Sequence, residues 1–255
     1  MPQPVALVTG ASSGIGEVFA RKLSERGYHV FLVARRLERL EKLAGELKNA
    51  EALQADLTVD SDVLRVASRI EVEPELEFLV NNAGFGVPGS FLKADPDAID
   101  RMHRLHIIAT ERLTYAALKG MTQRGKGNIV NVSSVAGFFN TPNSNGYGAT
   151  KAWINSFSEC LYLNLKNTGS PVRVQALCPG FTYTEFHDII KMDRSRVPAR
   201  LWTASEDVVE ASLHGLEKNR LFVIPGWRYR LLIGMGRFLP LSLKHYIAIK
   251  YGQYK

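Results

Sequence analysis

Short apolar runs alternate with amphipathic stretches along this chain from its first residues. Val5 to Thr9 is an apolar run that stops at a glycine-rich turn, and Glu17 to Arg26 follows with Val18, Phe19, Ala20 and Leu23 at helical spacing. This predicts strand, turn, helix. His29 to Ala34 predicts a second buried strand, Leu37 to Leu47 a helix with leucines at 37, 40, 43 and 47, and Glu51 to Ala55 a third strand. The same pattern then gives a helix over Val63 to Ile70, a strand over Phe78 to Asn81, and one long helix from about Pro96 to Arg124. Asn128 to Val132 predicts the next strand, followed by a helix through Tyr147 and Lys151 and a strand over Val172 to Leu177. A helix near Ser205 to Glu217 and a strand near Leu221 to Ile224 close the series. Strands with nearly continuous apolar cores, separated by helices, predict a doubly wound α/β fold: a parallel sheet of about seven strands with helices on both faces. Ligands of such sheets bind at the carboxyl ends of the strands.

At 255 residues and 45% hydrophobic, the chain can bury a full core as one domain spanning residues 1–255, and neither a linker nor a repeat divides it. Its first residues run directly into a strand, so no secretory leader is expected. Cys160 and Cys178 are isolated from each other and predict neither a metal site nor a disulfide, which suits a reducing cytoplasm. The net charge of +7 is unevenly spread. All 25 acidic residues lie before Lys218, whereas Lys218, Arg220, Arg228, Arg230, Arg237, Lys244, Lys250 and Lys255 follow without one carboxylate.

Candidate chemistry sits at the strand ends. Tyr147 and Lys151, four residues apart in Gly146-Tyr-Gly-Ala-Thr-Lys-Ala152, share one face if this segment is helical. A phenol titrates near ~10 and is a poor acid at neutrality until a neighbour favours its anion, and an adjacent ammonium does so. Gly10, Gly14 and Gly16 follow the first strand and open the first helix, where glycine permits tight turning and lets a phosphate approach backbone N–H groups. At the end of the second strand stand Arg35 and Arg36, where an acid would suit the bare ribose of NAD. A guanidinium there suits the 2′-phosphate of NADP(H), with Arg35 the better placed; Arg36 also reads as a charge decorating the next helix. Asp56, after the third strand, reads either as an acceptor for an adenine amino group or as a turn-capping acid.

Taken with Asn81-Asn-Ala-Gly84, Ser134 and Pro179-Gly180 with Thr184, these residues resemble the short-chain dehydrogenase/reductase family, in its compact single-domain branch, over nearly the whole chain. The resemblance implies a Rossmann-type fold. It implies that Tyr147 protonates a carbonyl oxygen, that Ser134 rather than Ser133 holds that oxygen, and that Lys151 binds the nicotinamide ribose and lowers the tyrosine pKa. The implied cofactor contacts are Gly10, Ser12, Ser13, Gly14, Ile15, Gly16, Arg35, Arg36, Asp56, Leu57, Asn82, Ala83, Gly84, Tyr147, Lys151, Pro179, Gly180, Thr182 and Thr184. One position departs from the family pattern: His106 stands where an asparagine of the central helix commonly completes the catalytic set. It reads either as a side chain that makes proton delivery pH-sensitive or as a packed histidine that keeps only the helix geometry.

Residues 185–204 lie where this family keeps a substrate lid, and Phe138, Phe139, Tyr183, Phe186, Ile190 and Trp202 are candidates for an apolar pocket wall. The basic apolar segment 226–255 is too interrupted by charge to cross a bilayer, and Pro240 divides it into two helical pieces. It reads either as a cover for the pocket or a subunit interface, or as a contact with an anionic membrane surface. The expected activity is that of an NADPH-dependent carbonyl reductase, reversible as an alcohol dehydrogenase, on an apolar ketone, aldehyde or secondary alcohol. Its alternatives are a 3-oxoacyl reductase and a non-catalytic NADP-binding scaffold. Family habit implies a homodimer or homotetramer, and no motif supports nucleic-acid binding.

Overall fold

In the computed structural model, which describes residues 2–142, 144–189 and 192–251, seven strands form one parallel sheet in the order β3-β2-β1-β4-β5-β6-β7. They are β1 (Val5–Thr9), β2 (His29–Ala34), β3 (Ala50–Gln54), β4 (Leu76–Asn81), β5 (Asn128–Val132), β6 (Arg173–Leu177) and β7 (Phe222–Val223). The order reverses direction at β1 and β4, the switch point beyond whose strand ends such sheets bind ligands. This is the doubly wound, Rossmann-type sheet expected from the alternation.

Side-chain alternation along each strand divides the core into two layers. Val5, Leu7, Phe31, Val33 and Leu79 face α3 (Asp60–Glu71), α5 (Thr110–Arg124) and α6 (Tyr147–Asn167), meeting Val66, Ile70, Leu113, Met121 and Leu165. Ala6, Val8, Val30, Leu32 and Val80 point the other way, onto α1 (Gly14–Glu25), α2 (Leu37–Glu46) and α8 (Ser205–Glu217) through Phe19, Leu23, Leu40, Val209 and Leu213. Burial on both faces explains why these strands carry runs of apolar residues rather than a polar–apolar alternation.

The predicted long helix is instead three pieces in continuous register: α4 (Pro96–His103), a π-helical turn (Arg104–Ala109) and α5. A π turn admits an extra residue and shifts the faces of the helix on either side. Beyond the sheet, α7 (Phe186–Ile189) and two short 3-10 turns occupy the 185–204 segment. The basic segment forms α9 (Trp227–Phe238) and α10 (Leu241–Tyr251), parted at Pro240 as expected. Among the described residues, no helix is long and apolar enough to cross a membrane.

Candidate active site

The glycine turn is held from two sides. Gly10 and Gly14 have φ of +67° and +56°, in the left-handed region that favours glycine. A Cβ on Gly16 would run into Gly10 O, so this first turn of α1 can close only on glycine. Thr9, at the end of β1, ties the turn to β4: its hydroxyl accepts from Asn82 N (2.9 Å) and Ala83 N (3.0 Å) and donates to Val80 O (3.2 Å). Asn82 Nδ2 donates to Thr9 O at 2.9 Å. Asn81 points elsewhere, donating to Asn131 Oδ1 and Thr114 Oγ1 in the interior.

Ser13 takes the N-cap position of α1 but makes no side-chain cap, so its hydroxyl does not compete for the N–H groups of the first turn. Instead both serine hydroxyls of the turn accept from Arg36, Ser12 Oγ and Ser13 Oγ each at 3.0 Å from Nη2. The Arg36 guanidinium therefore lies against the glycine turn. Arg35, the cation favoured by the sequence reading, is exposed, and its side chain makes no hydrogen bond or ion pair among the described residues. The difference follows from Arg36 taking the N-cap position of α2, which brings its side chain back toward the β1 turn. Glu185 closes the cluster, pairing with Arg36 at 2.9 Å and Arg39 at 2.6 Å, and these two cations, Arg39 first, hold its carboxyl below the usual range. Asp56 spends Oδ1 on capping Thr58, by N–H at 3.0 Å and hydroxyl at 2.8 Å, and Leu57 is buried beneath it.

The second cluster lies past β5 and at the start of α6. Gly146, at φ +85°, turns the chain so that Tyr147 is the first residue of α6 and Lys151 stands one turn later. The Lys151 ammonium is 5.6 Å from the centre of the Tyr147 ring and donates to Val132 O at 2.8 Å. Ser134 Oγ accepts from Ala136 N at 3.1 Å, whereas Ser133 is buried and donates to Lys151 O at 2.9 Å, binding α6 to the end of β5. Burial pushes the Tyr147 phenol up to about 12, with the Ser134 hydroxyl pulling the other way, and drives the Lys151 ammonium down to about 8. Lys151 is buried, while Tyr147 keeps part of its surface exposed.

His106 is buried inside the π turn, its ring edge-on to Tyr147 with centroids 5.8 Å apart. Phe85 N–H donates to Nε2 at 3.2 Å, which places the ring proton on Nδ1, facing Thr150 Oγ1 at 2.8 Å. The Thr150 hydroxyl in turn donates to Tyr147 O at 2.8 Å. Both ring nitrogens are therefore engaged. Burial first, then Lys151 and His103, keeps the imidazole pKa well below its ordinary value, so the ring is neutral at physiological pH. Gly84 completes this packing, since a Cβ there would stand 2.8 Å from His106 Nε2.

The loop after β6 crosses between the two clusters. Thr184 covers Gly14, and a Cβ on that glycine would lie 2.8 Å from the threonine methyl carbon. Thr182 spends its hydroxyl on Gly180 O at 3.1 Å and is buried. Pro179 O accepts Val135 N at 3.0 Å, which sets the Ser134 turn against this loop. Gly180 makes room for Tyr229 of α9: a Cβ there would overlap the phenol ring, whose hydroxyl accepts Phe181 N at 3.1 Å and donates to Leu201 O at 2.6 Å.

Of the expected pocket wall, Phe186 meets the Tyr147 ring at 5.7 Å between centroids. Phe138 packs instead on Phe222 of β7, Phe139 lies beneath Gly236 of α9, and Tyr183 stacks on Trp202. Ile190 lies outside the described residues.

A family model described as short chain dehydrogenase matches residues 4–194. A short-chain dehydrogenase from Sphingobium yanoikuyae, solved in complex with NADPH, superposes with a TM-score of 0.84 at 36% identity, covering 92% of this chain and 93% of that one. The bulky-bulky ketone specific alcohol dehydrogenase from Comamonas testosteroni gives a TM-score of 0.79 at 32% identity, over 95% and 97% of the two chains. The very-long-chain 3-oxoacyl-CoA reductase of Anas platyrhynchos is 35% identical over 197 residues, which is 73% of this chain but only 62% of that protein's length.

Proposed function

The chain belongs to the short chain dehydrogenase family, and on that footing we propose that it is an NADPH-dependent reductase of apolar ketones and aldehydes, reversible as an alcohol dehydrogenase. The observation that carries the reading is Tyr147 at the start of α6 with the Lys151 ammonium 5.6 Å from its ring centre and Ser134 just past the end of β5. The residues present fit a phosphorylated dinucleotide. The glycine turn offers N–H groups that Ser13 leaves uncapped, and Arg36 with the hydroxyls of Ser12 and Ser13 gathers donors for a phosphate dianion. NADPH, when bound, supplies the hydride that reduces the carbonyl carbon.

The chain's own residues manage the oxygen and the proton. Ser134 donates to the substrate oxygen as negative charge grows on it, and Tyr147 passes its proton to that oxygen to complete the alcohol. Lys151 stabilises the phenolate left behind. His106 is a positioning residue, because its two hydrogen bonds fix the 84–85 backbone and the first turn of α6. Phe186 beside Tyr147 favours an apolar substituent next to the reacting carbonyl.

A 3-oxoacyl reductase is the second reading, supported by the likeness to the 3-oxoacyl-CoA reductase of Anas platyrhynchos. NADPH oxidation against aryl ketones, aliphatic aldehydes and 3-oxoacyl thioesters separates the two, with Tyr147→Phe as the blank. Turnover that survives in Tyr147→Phe would overturn the acid role, and NADPH binding with no turnover on any class would favour a scaffold.

A further inference from the structure

Helices α9 and α10 expose apolar side chains that the body of the protein does not use. Trp227, Leu231, Leu232, Met235, Phe238, Leu241 and Ile249 all face solvent, Phe238 at 87% of its full area. Single exposed leucines are ordinary; seven large apolar side chains exposed along two successive helices are not. In α9 the described buried residues are Tyr229 and Gly236, and in α10 no described residue is buried. An eleven-residue helix with no buried face is marginal in water on its own propensity. Its apolar side chains call for a partner.

The pattern of charge selects that partner. Arg228, Arg230, Arg237 and Lys250 are exposed among these apolar side chains, Lys244 is half-buried, and the sequence from Lys218 onward holds no carboxylate. A twofold pairing of two such tails would set cations against cations with no acid to compensate. A surface rich in lipid phosphates complements both properties at once. Arginine and lysine meet the phosphates, while tryptophan, phenylalanine and leucine enter the boundary with the acyl chains. Neither helix can span a bilayer, which leaves an orientation lying in the interface.

We propose that α9 and α10 form a docking face for an anionic phospholipid surface. The face is fastened to the candidate active site: Tyr229 bridges Phe181 N and Leu201 O on the loop after β6, and Gly236 rests on Phe139. Docking therefore brings the loop after β6 within one helix of the lipid surface. On the reductase reading above, this identifies the substrate class as a carbonyl compound that partitions into membranes, although lipid binding itself does not rest on that reading.

Sedimentation of the full chain with phosphatidylcholine vesicles, with and without phosphatidylglycerol, tests the proposal. Binding is expected only with the anionic lipid and to weaken as ionic strength rises. Arg237→Glu with Lys244→Glu should lower it about tenfold or more. Phe238→Ser with Leu241→Ser should also release the protein, while leaving turnover of a water-soluble ketone unchanged. Equal binding to neutral vesicles, or no binding to either, would overturn it. So would a stable dimer, seen by sedimentation velocity, that Phe238→Ser dissociates, because the face would then belong to a second copy. Vesicle binding without any reductase activity would uphold the docking face and remove the substrate inference alone.

Discussion

The carboxylate of Glu185 lies 2.9 Å from the Arg36 guanidinium, and the same guanidinium donates to the hydroxyls of Ser12 and Ser13 in the glycine turn. An acid from the segment after β6 thus pairs with the cations proposed to meet the 2′-phosphate. The two anions compete for one partner. Glu185→Gln removes the competitor, and since the pair is partly exposed the effect is modest: NADPH binding should tighten about threefold to fivefold, with NADH little changed. Titration calorimetry with both nucleotides checks this, and equal tightening of the two would detach Glu185 from the 2′-phosphate.

The neighbouring arginines should behave differently. Arg36→Ala loses donors to the proposed phosphate and the clasp on Ser12 and Ser13, so NADPH affinity should fall roughly tenfold to a hundredfold more than NADH affinity. Arg35→Ala, at an exposed side chain without a partner among the described residues, should change the ratio much less. The ratio of Kd values for the two nucleotides decides between them.

Gly180→Ala should destabilise the fold, because its methyl overlaps the Tyr229 ring. Overpacking of this kind costs about 1–3 kcal/mol. In a Tyr229→Ala background the clash is gone, and the additional cost of Gly180→Ala should vanish. Urea unfolding of the four proteins in this cycle measures the coupling.

Acid should expose the burial of His106. Its folded pKa lies below the unfolded value of 6.5, so the unfolded chain takes up a proton as pH falls through 6.5 while the native ring stays neutral. Stability is therefore full above that value and lost below it, by at most about 1.4 kcal/mol per pH unit from this group. His187, also lowered chiefly by burial, adds in the same direction. His106→Asn should flatten the slope between pH 6.5 and 5 by up to one proton. An unchanged slope would show that His106 is solvated in the native state.

The sheet was legible because burial on both faces writes each strand as an apolar run, and the Tyr147–Lys151 pair because helical spacing alone brings the two together. The π turn was not legible, since one inserted residue leaves the apolar spacing of the flanking segments intact. Both cations were found at the end of β2, but which of them lies against the glycine turn depends on which one turns back at the start of α2, and adjacent identical residues carry no signal for that. The roles of Glu185 and Tyr229 escaped notice for a different reason. Each acts on a partner far along the chain, Arg36 and Leu201 respectively, and no local motif announces such a pairing.

Tyr229 also sets an order on biosynthesis. The glycine turn and its arginine come from the first two strand–helix units, and Ser134, Tyr147 and Lys151 follow well before the end of the chain. The loop after β6 nevertheless acquires its hydroxyl anchor only when residue 229 leaves the ribosome. A chain halted just after β7 would carry every recognisable motif and still lack the clamp that joins Phe181 to Leu201. Helix α9 is therefore part of the site's assembly, and a nascent chain completes it only after every recognisable motif has been made.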